Sequence, residues 1–520
     1  MMHRKMNEEN RNNNFINVKN LNLSKFKDEI EQLISLQTGE DKLLYITTYL
    51  ENNIQPFDIF SNLFFIDENE QLNDLTKYYL IFLLSLLNKE IMKEVFPDMK
   101  IKNNNIIVSQ EKPLMMSKKL FQIFFSLLFH SKIKEIQYTL IELLLCYADM
   151  SDDFVDYCLE DIRYINKLFQ LTYSNINDIV NTIILILDII LKYKDCDNDK
   201  LEKIIQNISI IERCKELLCG NNFNNDIRIN TLEILETISD KINRDYFKNY
   251  FMDFINIFYN LIALQAKNEE LIMIVFRIIS KIAYDDDICK KIKESGMAYI
   301  LYQQYLSTPN IERNFLLVIL KIFSNLFYLD EIITFFIYDK NGEILKVFTR
   351  IINTYINTSN EKDNYILKEI IYCLSNLATG PCDTKAIISN SDLPKLIAQI
   401  MKIKNDNNIY YEGVHFFNNM IDECNKETFY NISELNPFKI YAKGLGESFE
   451  IENLELCLKA IINLINKNRE FYHTTENLKK YFYTCMIKKK IDDLTLHKNK
   501  DISTKAETIV RYFEDKMNME

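Results

Sequence analysis

Tryptophan is absent from this chain, and glycine and proline are scarce, 8 and 7 among 520 residues. So few turn-forming residues leave little room for a β-rich fold. They also leave little backbone that could cradle a phosphate. No glycine-rich phosphate loop, G-x-S-x-G or H-E-x-x-H occurs. Histidine is rare as well: His3, His130, His415, His473 and His497 are isolated. None has a second His or Cys at i+3 or i+4, so no metal clip is visible. The eleven Cys contain no C-x-x-C pair, the nearest two being Cys214 and Cys219. Several, such as Cys146, Cys373 and Cys457, lie on apolar helix faces and read as buried thiols of a reducing compartment, not as a disulfide framework or a zinc site. The N-terminus carries no apolar signal-peptide core. Apolar runs such as Tyr78 to Leu87 fall far short of the roughly 18–20 residues that span a bilayer. The expectation is a soluble intracellular protein, not an enzyme, with no cofactor, no metal and no membrane insertion.

The net charge is −12. Such a surface repels nucleic acid and steers basic partners toward itself. On charge alone, a merely solubilising role fits equally well.

What the chain does contain is best seen from Leu367 to Lys402. Ile370, Leu374 and Leu377 share one helical face at i, i+4, i+7. Ala378-Thr379-Gly380-Pro381 then stops the helix, glycine allowing a left-handed end and proline refusing continuation. A short helix over Asp383 to Ser389 follows, then a turn at Asn390-Ser391-Asp392, then a helix with Pro394 in its first turn. The unit is long helix, tight turn, short helix, turn, long helix.

This unit recurs. Asn376 has a counterpart in Asn419, 43 residues on, and in Asn463, 44 further. Upstream, Asn325 lies 51 back and Lys281 another 44 back. An all-helical period of roughly 40–47 residues means a HEAT or armadillo solenoid, in which each repeat buries its face against its neighbours. The turn and the short intervening helix favour armadillo.

Leu367 to Met401 resembles an armadillo repeat of the importin alpha (karyopherin alpha) family, whose inner helix ends W-x-x-S-N-I-x-A-G. The same places hold Tyr372, Ser375, Asn376, Leu377, Thr379 and Gly380. Tyr410 to Cys424 resembles the next repeat, with His415 at the Trp place and Asn419 at the Asn place. Leu454 to Ile465 resembles the one after, with Lys459 and Asn463. Near the start, LSKFKDEIEQL and the stretch up to Pro56 resemble that family's first repeat. The expected fold is an all-α, right-handed superhelical solenoid of about nine or ten armadillo repeats.

In order along the chain, 1–20 is an Asn-rich, disordered segment, 21–477 the solenoid, and 478–520 a charged helical cap and tail. The resemblance implies a basic, importin-beta-binding segment at the N-terminus. Here Arg4, Lys5, Arg11 and Lys19 make no run of three, which argues against conventional importin beta coupling. Two helices are expected over Ser24 to Asn52, an apolar helix over Asp74 to Lys93, and an exposed loop over Phe96 to Pro113. A helix pair spans Lys118 to Phe129 and Glu135 to Tyr147. Asp149, Asp152 and Asp153 follow, where the family holds a cargo lysine, though acidic capping of the next helix is the better reading. Successive inner helices are expected over Ile176 to Leu191, Arg228 to Asn243, Glu270 to Tyr284, Asn314 to Phe327 and Leu367 to Ala378. Gly296 and Gly342 precede further long helices.

A row of Asn side chains, one per repeat, can donate to and accept from the backbone of an extended peptide. An aromatic ring one turn earlier walls a slot for a lysine stem and attracts its ammonium, worth about 0.5–2 kcal/mol. The resemblance implies that the family reads nuclear localisation signals in this way. The expected peptide-binding residues are Asn325, Tyr372, Asn376, His415, Asn419 and Asn463. With no Trp, Tyr372 is the best ring present, and a protonated His415 would repel cations. Asp188, Thr237 and Lys281 stand at the Asn place in the first half, so the C-terminal site is the better matched. For Asn463 alone, a helix end facing water explains the residue as well.

The resemblance implies a nuclear import adaptor, cytoplasmic and nuclear, whose partners are basic cargo peptides, importin beta and an export carrier. The alternative is an armadillo scaffold that joins other proteins without reading such signals.

Overall fold

The computed structural model describes residues 117–514, apart from 131–133, 265–266, 340, 359, 405, 446–449, 474–475 and 485–486. The expectations for 1–20, for the helices over Ser24 to Asn52 and Asp74 to Lys93, for the first-repeat likeness, and for the loop over Phe96 to Pro113 lie outside the described residues. Among the described residues every regular element is helical.

Helices form where apolar residues recur every three or four places and an Asn or Asp stands at the N-cap. The helix Glu361–Leu377 shows how. Asn360 accepts a hydrogen bond from the Lys362 N–H at its start. Ile366, Ile370, Leu374 and Leu377 are all buried. The same capping recurs where Asn224 accepts from Ile227, Asn268 from Leu271, Asp285 from Ile288, Asp406 from Ile409 and Asn425 from Thr428. Much of the abundant Asn is thus spent satisfying helix starts.

The chain divides into two compact units, up to Ile242 and from Asn243 onward. In the first, α1 (Lys134–Met150), α2 (Asn177–Lys192) and α3 (Asn225–Lys241) stack in sequence. Shorter helices, such as Asp152–Glu160, Asn198–Asn207 and Ile210–Cys219, lie between them. Asp152 and Asp153 stand in the first turn of their helix, where carboxylates meet unpaired N–H groups.

In the second unit α4 (Glu269–Ile282), α5 (Arg313–Leu326), α6 (Glu361–Leu377), α7 (Asn407–Ile421), α8 (Ile451–Tyr472) and α9 (Lys500–Glu514) each pack on the next. The charged stretch after 478 holds three helices, Glu476–Thr484, Ile487–Thr495 and α9. α9 buries Ile502, Ala506, Ile509 and Phe513, and it packs on α8 as each inner helix packs on its predecessor.

The two expected glycine helix starts differ in detail. Gly296 and Gly342 have φ of +78° and +64°, the left-handed region open to glycine. After Gly342 a regular helix runs over Glu343–Tyr355. After Gly296 one α-turn, Met297–Ile300, widens into a π-helical stretch, Leu301–Leu306. Gly380 corrects the sequence reading. It is not left-handed, and the helix ends through Ala378 in ordinary right-handed geometry. Glycine is needed there for space: a Cβ would lie 2.8 Å from Ile333 Cγ2 and 3.0 Å from Thr384 Oγ1.

Candidate functional site

The ladder residues sit at matching places on successive inner helices of the second unit: Lys281 on α4, Asn325 on α5, Asn376 on α6, Asn419 on α7 and Asn463 on α8. Each Asn is partly exposed. Each also has a structural task. Asn325 Nδ2 donates to the Ser280 carbonyl at 2.9 Å, and Asn376 Nδ2 to the Ser324 carbonyl at 2.8 Å. Asn419 Nδ2 donates to the Ser375 carbonyl and hydroxyl at 3.0 and 3.1 Å. Asn463 Nδ2 donates to Asn418 Oδ1 at 2.9 Å. In every case the acceptor belongs to the residue just before the ladder place of the preceding helix. The row therefore stitches neighbouring helices together. One N–H of each amide is committed. On Asn325, Asn419 and Asn463 the Oδ1 acceptor takes no hydrogen bond from the described residues.

In the first unit the equivalent places are closed. Thr237 donates to Asp188 Oδ1 at 3.0 Å, and Lys192 Nζ lies 2.6 Å from Asp188 Oδ2. Burial raises the pKa of this carboxyl against the pull of Lys192 and Thr237. No amide is offered there.

One turn before the ladder, the row reads Arg277, Lys321, Tyr372, His415 and Lys459. Tyr372 is 37% exposed, and its hydroxyl hydrogen-bonds the Asn376 side chain. Desolvation raises its pKa, so it is a neutral phenol. His415 keeps an exposed edge, but crowding by neighbours lowers its pKa below the usual histidine value. At neutral pH it is uncharged, which removes the repulsion a protonated ring would bring.

Sequence reading passed over two carboxylates beside this row. Three residues before Tyr372 and His415 lie Glu369 and Glu412, equivalent positions on α6 and α7. Glu369 keeps only 9% of its surface accessible and has neither a hydrogen bond nor an ion pair among the described residues. Glu412 has its pKa raised to about 7, chiefly by desolvation, helped by Glu369 and opposed by Lys368. Buried carboxylates are normally paired because an unpaired one costs heavily. Glu369 is buried and Glu412 half-buried, Lys368 acts on Glu412, and both carboxyls lie close enough to Tyr372 to raise its pKa.

Comparison with known proteins bears on the frame around this site. No protein-family model matches the sequence, and no curated protein is similar to it. Solved structures do match. The chain is similar in shape to an engineered protein of known crystal structure, with a TM-score of 0.61 and 13% identity over 93% of this chain and 97% of that one. It is also similar to a chain from a structure concerning a phosphorylation switch that controls the interaction between cadherin and beta-catenin. There the TM-score is 0.54 and the identity 12%, over 76% of this chain and 70% of that one. The fold is an armadillo-repeat solenoid.

Within this armadillo frame, Tyr372, Asn376, His415 and Asn419 lie on α6 and α7, which pack directly on each other. Asn325 lies one helix before them. Asn463 lies one helix after, beside Lys459, whose ammonium is 3.3 Å from Glu455. Among these places, only α6 and α7 carry a ring one turn before the Asn, Tyr372 and His415. Among the described residues no group of three or more His, Cys, Asp or Glu could hold a metal ion, and no helix is long and apolar enough to cross a membrane.

Proposed function

We propose that this armadillo protein is an adaptor that binds an extended basic peptide on α6 and α7. A lysine or arginine of the peptide enters between Tyr372 and His415, its charge on Glu369 and Glu412. The carrying observation is Glu369, buried with no hydrogen bond or ion pair among the described residues, near enough to Glu412 to help desolvation push its pKa up to about 7. A ligand cation relieves both. Its aliphatic stem lies along Tyr372, and its backbone meets the free amide oxygens of Asn325 and Asn419. With the likeness of this region to the importin alpha repeat, the reading extends to a nuclear import adaptor that moves between cytoplasm and nucleus. Its cargo would carry basic localisation signals, and importin beta and an export carrier would be its further partners.

A scaffold without signal reading is the second possibility. The stitching hydrogen bonds favour it, because they give the Asn row a structural reason to exist. Titrating a labelled lysine-rich peptide and a charge-scrambled control into the full chain separates the two readings. The adaptor binds the first more tightly, and the scaffold binds both alike or neither.

A further inference from the structure

The same face changes sign along its length. On α6 and α7 its carboxylates are Glu369 and Glu412. One helix earlier, at the place that Tyr372 occupies on α6, stands Lys321. It is exposed and has no ion-pair partner among the described residues. Arg277 holds that place on α4, and Lys281 holds the ladder place beside it. Beyond them Arg244 lies with its guanidinium 4.0 Å from the centre of the exposed Tyr284 ring. At the opposite end Lys459 on α8 lies 3.3 Å from Glu455, whose carboxylate also holds Lys505 at 2.9 Å.

A peptide that is basic throughout would press its charges onto Lys321 once it passed α6, and like charges in register repel. We propose that the bound segment has mixed charge: a lysine or arginine between α6 and α7, and an acidic side chain over Lys321 on α5. This rests on the proposed lysine-binding role of α6 and α7 and adds the sign of the neighbouring position. Inner helices are spaced about 8–10 Å apart. An extended peptide advances about 3.3 Å per residue. From the middle of the slot to α5 is about one and a half spacings, which places the acid about four residues from the lysine.

The test uses the full chain and three labelled peptides: one lysine in a neutral sequence, and the same with Glu four residues before or four residues after it. One of the two Glu peptides is expected to bind about two- to fivefold more tightly than the plain one, the gain of an exposed ion pair. That gain should vanish in Lys321→Glu and fade in high salt. Lys321 is exposed and unpaired, so the variant should fold, which circular dichroism checks. If the plain peptide binds but neither Glu peptide gains, or if the gain survives Lys321→Glu, the mixed-charge inference is overturned and the lysine slot stands. If no peptide binds at all, the lysine slot itself is wrong and the inference falls with it.

Discussion

Replacing Glu412 with Gln should make the protein more stable in alkaline solution and worse at binding lysine. The folded-state pKa of Glu412 is raised from 4.5 to about 7. Because it lies above the unfolded value, the folded state holds an extra proton between the two. The stabilisation from that proton is present in acid and lost as pH rises through 7. With those two pKa values, linkage makes unfolding easier by about 2 kcal/mol between about pH 5.5 and pH 8. Water at the partly exposed carboxyl lowers this to about 1 kcal/mol. Glutamine keeps the shape and cannot ionise, so Glu412→Gln removes that pH dependence. Chemical denaturation of both proteins at the two pH values gives the difference directly. The variant should gain on wild type by about 1 kcal/mol on going from acid to alkali. The same substitution should weaken a lysine peptide about tenfold at neutral pH, since a charged hydrogen bond is lost. In wild type, affinity should fall below pH 7, because Glu412 must shed its proton to meet the ammonium, and later protonation of His415 acts the same way. Parallel stability curves for the two proteins, or unchanged peptide affinity, would refute this reasoning.

Other substitutions probe the frame. Asn419→Ala should cost about 1 kcal/mol of stability even without ligand, because it breaks the stitch to Ser375, and urea denaturation measures this. Gly380→Ala should cost about 1–3 kcal/mol by overpacking against Ile333 and Thr384, read in the same denaturation. Arg313→Ala should cost about 3–5 kcal/mol, since it leaves the buried Asp363 carboxylate without the guanidinium 2.8 Å away. A thermal melt of that variant against the double change with Asp363→Asn should show the double variant recovering stability.

The solenoid was legible in the sequence because its repeat unit is marked by side chains at a fixed period: Asn376, Asn419 and Asn463, the apolar stripe of Ile370, Leu374 and Leu377, and the turn at Gly380-Pro381. The start of α6 was read too late, at Leu367, because Glu361 to Asn364 are polar and only the Asn360 cap announces them. The stitch was invisible because three of its four acceptors are backbone carbonyls, which no residue type marks. The reason for Gly380 was misread since a tight approach by Ile333, 47 positions earlier, leaves no local trace. Glu369 and Glu412 could have been found. They repeat at the same 43-residue spacing as Tyr372 and His415, three places earlier, but charge on a helix is ordinarily solvated, and only the packed structure shows Glu369 buried and Glu412 half-buried. The Asn residues stitch neighbouring helices, so loss of peptide binding on removing them would report a loosened frame as readily as a lost contact.

The decisive measurement avoids them. A labelled peptide with one central lysine is titrated into the full chain, beside an identical peptide carrying norleucine, which keeps the methylene stem and lacks the ammonium. Both are repeated with Tyr372→Ala and with Glu369→Gln. The account predicts that lysine binds at least about tenfold more tightly than norleucine in wild type, as a charged hydrogen bond in a buried site requires. Glu369→Gln should erase that preference, while Tyr372→Ala should weaken both peptides. Equal binding of lysine and norleucine to the wild-type protein would contradict the account.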